Sequence, residues 1–106
     1  MSKEDKHRAQ ELGAAEIEKR LAALRQKTFS DLAELPDSET DNLKTGRYEV
    51  KLTTYRDNLG DDQLQIVVQS YFHIRLGFGR IGADGFTVSK DGTKQDMEEK
   101  DLYDFM

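Results

Sequence analysis

A long alternation of apolar and polar side chains between residues 64 and 76 constrains the fold more than any other feature. Leu64, Ile66 and Val68 begin an apolar set at even positions, and Gln65, Val67 and Gln69 begin the set on the outer face, which is more polar apart from Val67. A period of two is that of a β-strand with one buried face. A shorter alternation with the same parity begins at residue 48. We therefore predict an antiparallel sheet over residues 47–95.

The parity of these positions restricts how the strands pair. Opposed residues in the first two strands must have an even sum, because a shift of one residue would turn one apolar set toward water. We expect Leu52 opposite Ile66, and Val68 opposite Val88 in the next pair. The glycines at 77 and 79 predict the turn that joins the second strand to the third. Gly82 and Gly85 in the third strand predict a bulge or a close approach by another group.

Helices are expected before the sheet and after it along the chain. Residues 4–27 are rich in good helix formers, and Gly13 predicts that residues 1–12 fray. Residues 28–36 predict a short helix that ends at Pro36. Residues 37–46 predict an acidic loop. Asp91-Gly92 is a tight-turn signal before a short fourth strand, and Asp96 can cap a C-terminal helix.

The chain is therefore predicted to be a single α+β domain over residues 1–106, with a meander of three or four antiparallel strands. The helices are expected to pack on the even face of the strands. The predicted core joins that face to the apolar stripe of the long helix, and it contains Ile17, Leu21, Leu24, Phe29, Leu32, Leu35, Tyr48, Val50, Leu52, Leu64, Ile66, Val68, Phe72, Ile74, Phe86, Val88, Leu102 and Phe105.

Composition excludes several classes of protein. The chain has no cysteine, so it has no disulfide framework and no thiolate metal site. No apolar run approaches the roughly 20 residues that span a membrane. The net charge of −5 argues against nonspecific binding of nucleic acid. We expect a cytoplasmic protein without membrane contact.

The negative charge lies in two blocks. Residues 30–44 carry five acids against Lys44, and residues 91–106 carry six acids against two lysines, so each block has a net charge of −4. Such blocks serve solubility, or they form a patch for a basic partner if they are neighbours in space. The patch would contain Asp37, Glu39, Asp41, Glu98 and Glu99.

The outer face of the sheet is the second candidate surface. Aromatic residues and arginine are enriched there and acids are scarce, as at many binding surfaces. The alternatives are an ordinary solvated face or a face covered by the long helix. The candidate residues are Tyr55, Gln69, Tyr71, His73 and Arg75, with Arg80 from the glycine-rich turn.

No motif predicts a cofactor or a metal ion. Residues 77–82 match the letters of a dinucleotide-binding loop, but that loop must open onto a helix, and the residues after Gly82 read as a strand. His73 has no predicted acidic partner on its own face, so we assign no catalytic residue.

Three functional hypotheses follow. The first is a noncatalytic protein-binding or regulatory module, in the form of an acidic inhibitor-like protein that neutralises a basic partner. The second is a small ligand-binding or enzymatic domain that uses Tyr71, His73 and Arg75. The third is a structural homo-oligomer, which would form a homodimer through residues 14–24 of the long helix.

The predicted core gives a direct test. Truncation of Val68 or Phe72 to alanine should lower the free energy of unfolding by ~2–4 kcal/mol, because each removes buried apolar volume. Thermal unfolding of the two variants measures this. A Phe72→Ala variant that unfolds cooperatively at the wild-type temperature would refute the core.

Overall fold

The computed structural model describes residues 3–45, 48–74 and 77–97. Two helices precede a sheet that, among these residues, has five strands in the order β1-β2-β3-β4-β5 with every neighbouring pair antiparallel. The α+β class is thus confirmed. The elements are α1 (Lys3–Arg25), α2 (Phe29–Ala33), β1 (Ser38–Thr45), β2 (Tyr48–Asn58), β3 (Gln63–Ile74), β4 (Gly77–Ser89) and β5 (Lys94–Asp96).

The core lies between α1 and one face of the sheet. Ile17, Leu21 and Leu24 on α1 are buried against even-numbered residues of the strands, and Leu32 of α2 belongs to the same cluster. This is the packing that the two apolar periods predict. The strand members of the cluster are Leu52, Leu64, Ile66, Val68, Phe86 and Val88, and Phe29, Leu35 and Leu43 pack against it.

The acidic segment after α2 is a strand, so the predicted loop at 37–46 is wrong. β1 pairs with β2 along its whole length, from Ser38 opposite Tyr55 to Thr45 opposite Tyr48. It lies at the edge of the sheet. Much of the surface of an edge strand is exposed to solvent, so the strand lacks the apolar alternation that is typical of an inner strand. The strand count of three or four was too low for the same reason.

Strand register keeps the predicted parity between β2 and β3, and between β3 and β4 as far as the pair Ser70–Gly82, but it differs in its shift. Leu52 lies opposite Ser70 rather than Ile66, and Leu64 rather than Val68 lies opposite Val88. The β2–β3 connection closes with a hydrogen bond from the Leu59 N–H to the Gln63 carbonyl (2.9 Å). Parity fixes the face of each side chain, and a shift that keeps parity leaves the faces unchanged.

Three further expectations concern the ends of strands and the C-terminal segment. The turn predicted at residues 77–79 is wrong, because β4 already begins at Gly77. The Asp91-Gly92 turn is confirmed, since Gly92 has a φ of +95° and the Ser89 N–H donates to the Thr93 carbonyl. The predicted C-terminal helix is not matched: Asp96 ends β5, and residues 98–106 lie outside the described ranges.

Two arginines connect α1 to the two edge strands of the sheet. Arg20 donates to Asp41 of β1 and to Thr54 (3.3 Å). Arg25 reaches Asp96 at the other edge (2.6 Å) and lies over the Phe86 ring.

No helix in the described ranges is long and apolar enough to cross a membrane.

The glycines of β4 produce both features that they predict. A bulge falls between the pairs Ser70–Gly82 and Tyr71–Arg80, so Ile81 is the extra residue. At Gly85 the backbone of β3 comes very close. A Cβ there would lie 2.4 Å from the Ile66 carbonyl oxygen and 3.0 Å from the Met97 sulfur.

These two glycines therefore predict opposite responses to alanine. Gly85→Ala should lower the free energy of unfolding by about 1–3 kcal/mol, because the methyl group forces β3 and β4 apart. At Gly82 a Cβ would lie 3.8 Å from Ile17 Cδ1, an ordinary contact. Gly82→Ala should change stability by less than about 1 kcal/mol, in the stabilising direction. Urea unfolding of both variants measures the difference, and equal losses would contradict the close approach at Gly85.

Candidate functional site

The sheet face opposite α1 brings together three of the residues predicted as a binding surface. Tyr55, Gln69 and Tyr71 share this face, since each lies at an odd position of β2 or β3. Gln69 is buried, and the two tyrosines are half-buried. Val67 on the same face is fully buried, although the sequence predicted it on an outer surface.

A chain of hydroxyl groups crosses this face. Thr40 of β1 bonds to Thr53 (2.9 Å), and Thr53 bonds to the Tyr71 hydroxyl (2.9 Å). Tyr71 in turn hydrogen-bonds to Tyr55. The chain links three strands and fixes both rings, because each hydroxyl is held by another.

This arrangement raises the pKa of Tyr55 above its usual value. The hydrogen bond to Tyr71 is the main cause, and burial and repulsion from a charged Tyr71 add to it. Tyr55 therefore stays protonated near neutral pH, and the face presents hydroxyl groups rather than a tyrosinate.

The remaining predicted residues of this surface lie further along the strands. In the backbone register Tyr71 is paired with Arg80, and His73 is paired with Phe78. The bulge at Ile81 sets this pairing, because it changes the parity between β3 and β4. Arg75 lies outside the described residues.

Two of the five residues of the predicted acidic patch are engaged by arginines within the chain. Asp37 binds Arg56 (2.8 Å), and Asp41 binds Arg20. Glu39 is exposed on the edge strand, and Glu98 and Glu99 lie outside the described residues. The charges of Asp37 and Asp41 are therefore offset by arginine.

The apolar stripe of α1 is also engaged. Ile17, Leu21 and Leu24 are buried on the sheet. A homodimer through residues 14–24 would have to use other side chains of the helix.

A groove between α1 and β4 is the feature that sequence reasoning missed. It has a volume of about 630 Å³, and it is lined by Ala14, Ile17, Glu18, Leu21 and Arg25 of α1 and by Gly82, Ala83 and Asp84 of β4. The apolar residues supply its floor. Glu18 and Asp84 are exposed at its rims.

Negative charge predominates around the groove. Arg25 is bound to Asp96, so its positive charge is already offset. Asp84 accepts a hydrogen bond from the Gly85 N–H (2.8 Å), which holds its carboxylate at the rim. The groove therefore combines an apolar floor with acidic borders. In the sequence, Gly82 was the available signal, since a strand glycine leaves space beside it.

The described residues contain no group of three or more His, Cys, Asp or Glu side chains placed to hold a metal ion. No family model, curated protein or solved structure matches the chain.

The tyrosine pair predicts a dependence of stability on alkaline pH. Because the Tyr55 pKa is raised above 10.0 in the folded chain, the unfolded chain releases this proton first. The stability that Tyr55 contributes is complete below its pKa in the unfolded chain. It is lost as the pH rises through the higher pKa that Tyr55 has in the folded chain. Tyrosinate absorbance during titration should show one late-ionising tyrosine in the wild type.

A matched substitution identifies the cause. Tyr71→Phe removes the hydrogen bond and the neighbouring charge, so the ionisation of Tyr55 should move back toward its ordinary range. Tyr55→Phe should remove the late component altogether. If the late component is present in the Tyr55→Phe variant, Tyr55 is not its source.

Proposed function

We propose that the chain is a noncatalytic protein-binding module that holds a basic partner at the groove between α1 and β4. One observation carries this proposal: Glu18 and Asp84 border an apolar floor, and the arginine beside them is already paired with Asp96. Opposite charges across an interface guide association and select among partners.

Partner binding here would use two kinds of contact. Ala14 is exposed in the groove and offers apolar contact together with the small accessible part of Ile17, while the acidic rims would bind lysine or arginine. This combination of a buried apolar centre and a charged rim is typical of protein interfaces. If the basic surface of the partner is its working surface, the module acts as an acidic inhibitor-like protein.

The acidic surface proposed here differs from the patch predicted from the sequence. Asp37 and Asp41 are bound to arginines, so a basic partner would have to compete with those pairs. Glu18 and Asp84 are not in the predicted patch, yet both are exposed beside a concave surface. We place the module in the cytoplasm, in keeping with a chain that has no cysteine.

The tyrosine face is the second candidate. Its hydroxyl chain holds Tyr55 and Tyr71 in fixed positions, and rigid aromatic side chains lose little entropy on binding. The protonated state of Tyr55 favours ligand binding over acid–base chemistry by that residue. A ligand that quenches tyrosine fluorescence in the wild type and not in Tyr71→Phe would support this candidate.

Charge reversal at the groove tests the first candidate. In a Glu18→Lys/Asp84→Lys variant, capture of basic proteins from the source cell should fall by roughly tenfold, because two attractive contacts become repulsive. The matched control, Asp57→Lys/Asp61→Lys, makes the same change in net charge at exposed positions away from the groove. Quantitative mass spectrometry of the captured proteins gives the ratio.

The comparison between the two variants decides the result. A partner that the control retains and the groove variant loses supports the proposal. Equal losses in both would show that only the net charge matters, and unchanged capture in both would remove the groove from the function.

A further inference from the structure

We infer that the basic partner binds as an extended segment that adds an antiparallel strand to the open edge of β4, an inference that rests on the function proposed above. Strand addition gives affinity through main-chain hydrogen bonds and specificity through pockets for alternate side chains. Residues 77–84 of β4 and the adjoining groove supply both.

Within the described ranges, β4 is paired on this side only as far as β5 extends. β5 pairs with β4 only from Phe86 to Val88, and the Met97 N–H then donates to the Gly85 carbonyl (3.1 Å). Among the described residues, no strand lies beside residues 77–84 on that side. An unpaired strand edge is a template for another chain.

The direction of the backbone groups identifies a specific contact. Along a strand, N–H and C=O groups of alternate residues point to the same edge. Gly85 uses its carbonyl toward Met97, so Ala83, two residues earlier, directs its N–H and C=O toward the open edge. A residue of the incoming strand opposite Ala83 would form both hydrogen bonds.

The groove supplies room for side chains of that strand. Every second side chain would point toward α1, above Ile17 and Leu21. Gly82 has no side chain to fill this space, and a Cβ at its position would only just reach Ile17. A β-branched residue fits the apolar floor, and a neighbouring basic residue on the same face meets Glu18 or Asp84.

Charge selects this occupant over a second copy. Two copies paired through β4 would bring four rim carboxylates together, and like charges across an interface are repulsive. Residues 98–106 of the chain itself carry four acids and one lysine, a net charge of −3. Only a basic segment complements the charges of Glu18 and Asp84.

The probe is a capped peptide that repeats Thr-Val-Thr-Lys twice, so that valine and lysine alternate on one face. Titrated into the isotope-labelled full chain, it should shift the amide resonances of Ala83 and of neighbouring groove residues. It should also slow hydrogen exchange at the Ala83 N–H. In the free protein that N–H should exchange fast, because no strand of the described ranges pairs with it.

Three matched peptides make the result specific. Replacing both lysines by glutamate should weaken binding by roughly tenfold or more, since attraction to the rims becomes repulsion. N-methylation of the threonine amides, which face β4 in an antiparallel pair, should abolish binding. N-methylation of the valine and lysine amides should leave it nearly unchanged.

A protein variant tests the same hydrogen bond from the other side. Ala83→Pro removes the N–H, and proline is tolerated on the open side of an edge strand. The variant should melt near the wild-type temperature and fail to bind the peptide, whereas Ala83→Thr keeps the N–H and should bind. If Ala83→Pro does not fold, the N-methylated peptides still decide the question.

Several outcomes would overturn strand addition. They are slow exchange at the Ala83 N–H in the free protein, equal binding of the two N-methylated peptides, equal binding of the glutamate peptide, and no resonance shift at millimolar peptide. If Glu18→Lys/Asp84→Lys loses a captured partner that Ala83→Pro retains, the proposed function stands and strand addition falls. If neither variant changes capture, both fall.

Discussion

The burial of one face of β2, β3 and β4 under α1 is the constraint on which the rest of the structure depends. Ile17, Leu21 and Leu24 cover even-numbered strand residues, so the parity of each inner strand is fixed by apolar burial. The opposite face is then free to carry the tyrosine and threonine hydroxyls. The position of α1 also creates the groove, because the helix packs beside β4 where Gly82 has no side chain.

The sequence predicted faces better than pairings. Leu64, Ile66 and Val68 lie in the core because a period of two identifies which side chains share a face. A shift that keeps parity preserves that pattern, so the opposition of Leu52 and Ser70 could not be read from it. β1 was missed for a related reason: an edge strand of mostly polar residues has the composition of a loop.

One of the candidate surfaces could be predicted from the sequence, and the other could not. Tyr55, Gln69 and Tyr71 were predictable as a group, since parity alone places them on one face. The groove was not, because it requires the position of α1 against β4 and the pairing of Arg25 with Asp96, residues far apart in sequence. The same holds for Asp37 and Asp41, whose charges are offset by arginines on other elements. A net charge taken from the sequence includes every charged residue, whereas binding depends on the charges that the fold leaves exposed and unpaired.

The short β5 connects the fold to its proposed use. An open strand edge favours pairing between copies, and proteins limit this with charges and bulges. β4 has both: Ile81 interrupts the ladder, and Asp84 lies at the rim with Glu18 across the groove. Negative charge at that edge disfavours a second copy and favours a basic strand by the same electrostatic interaction. A feature that limits self-association would therefore also select the partner.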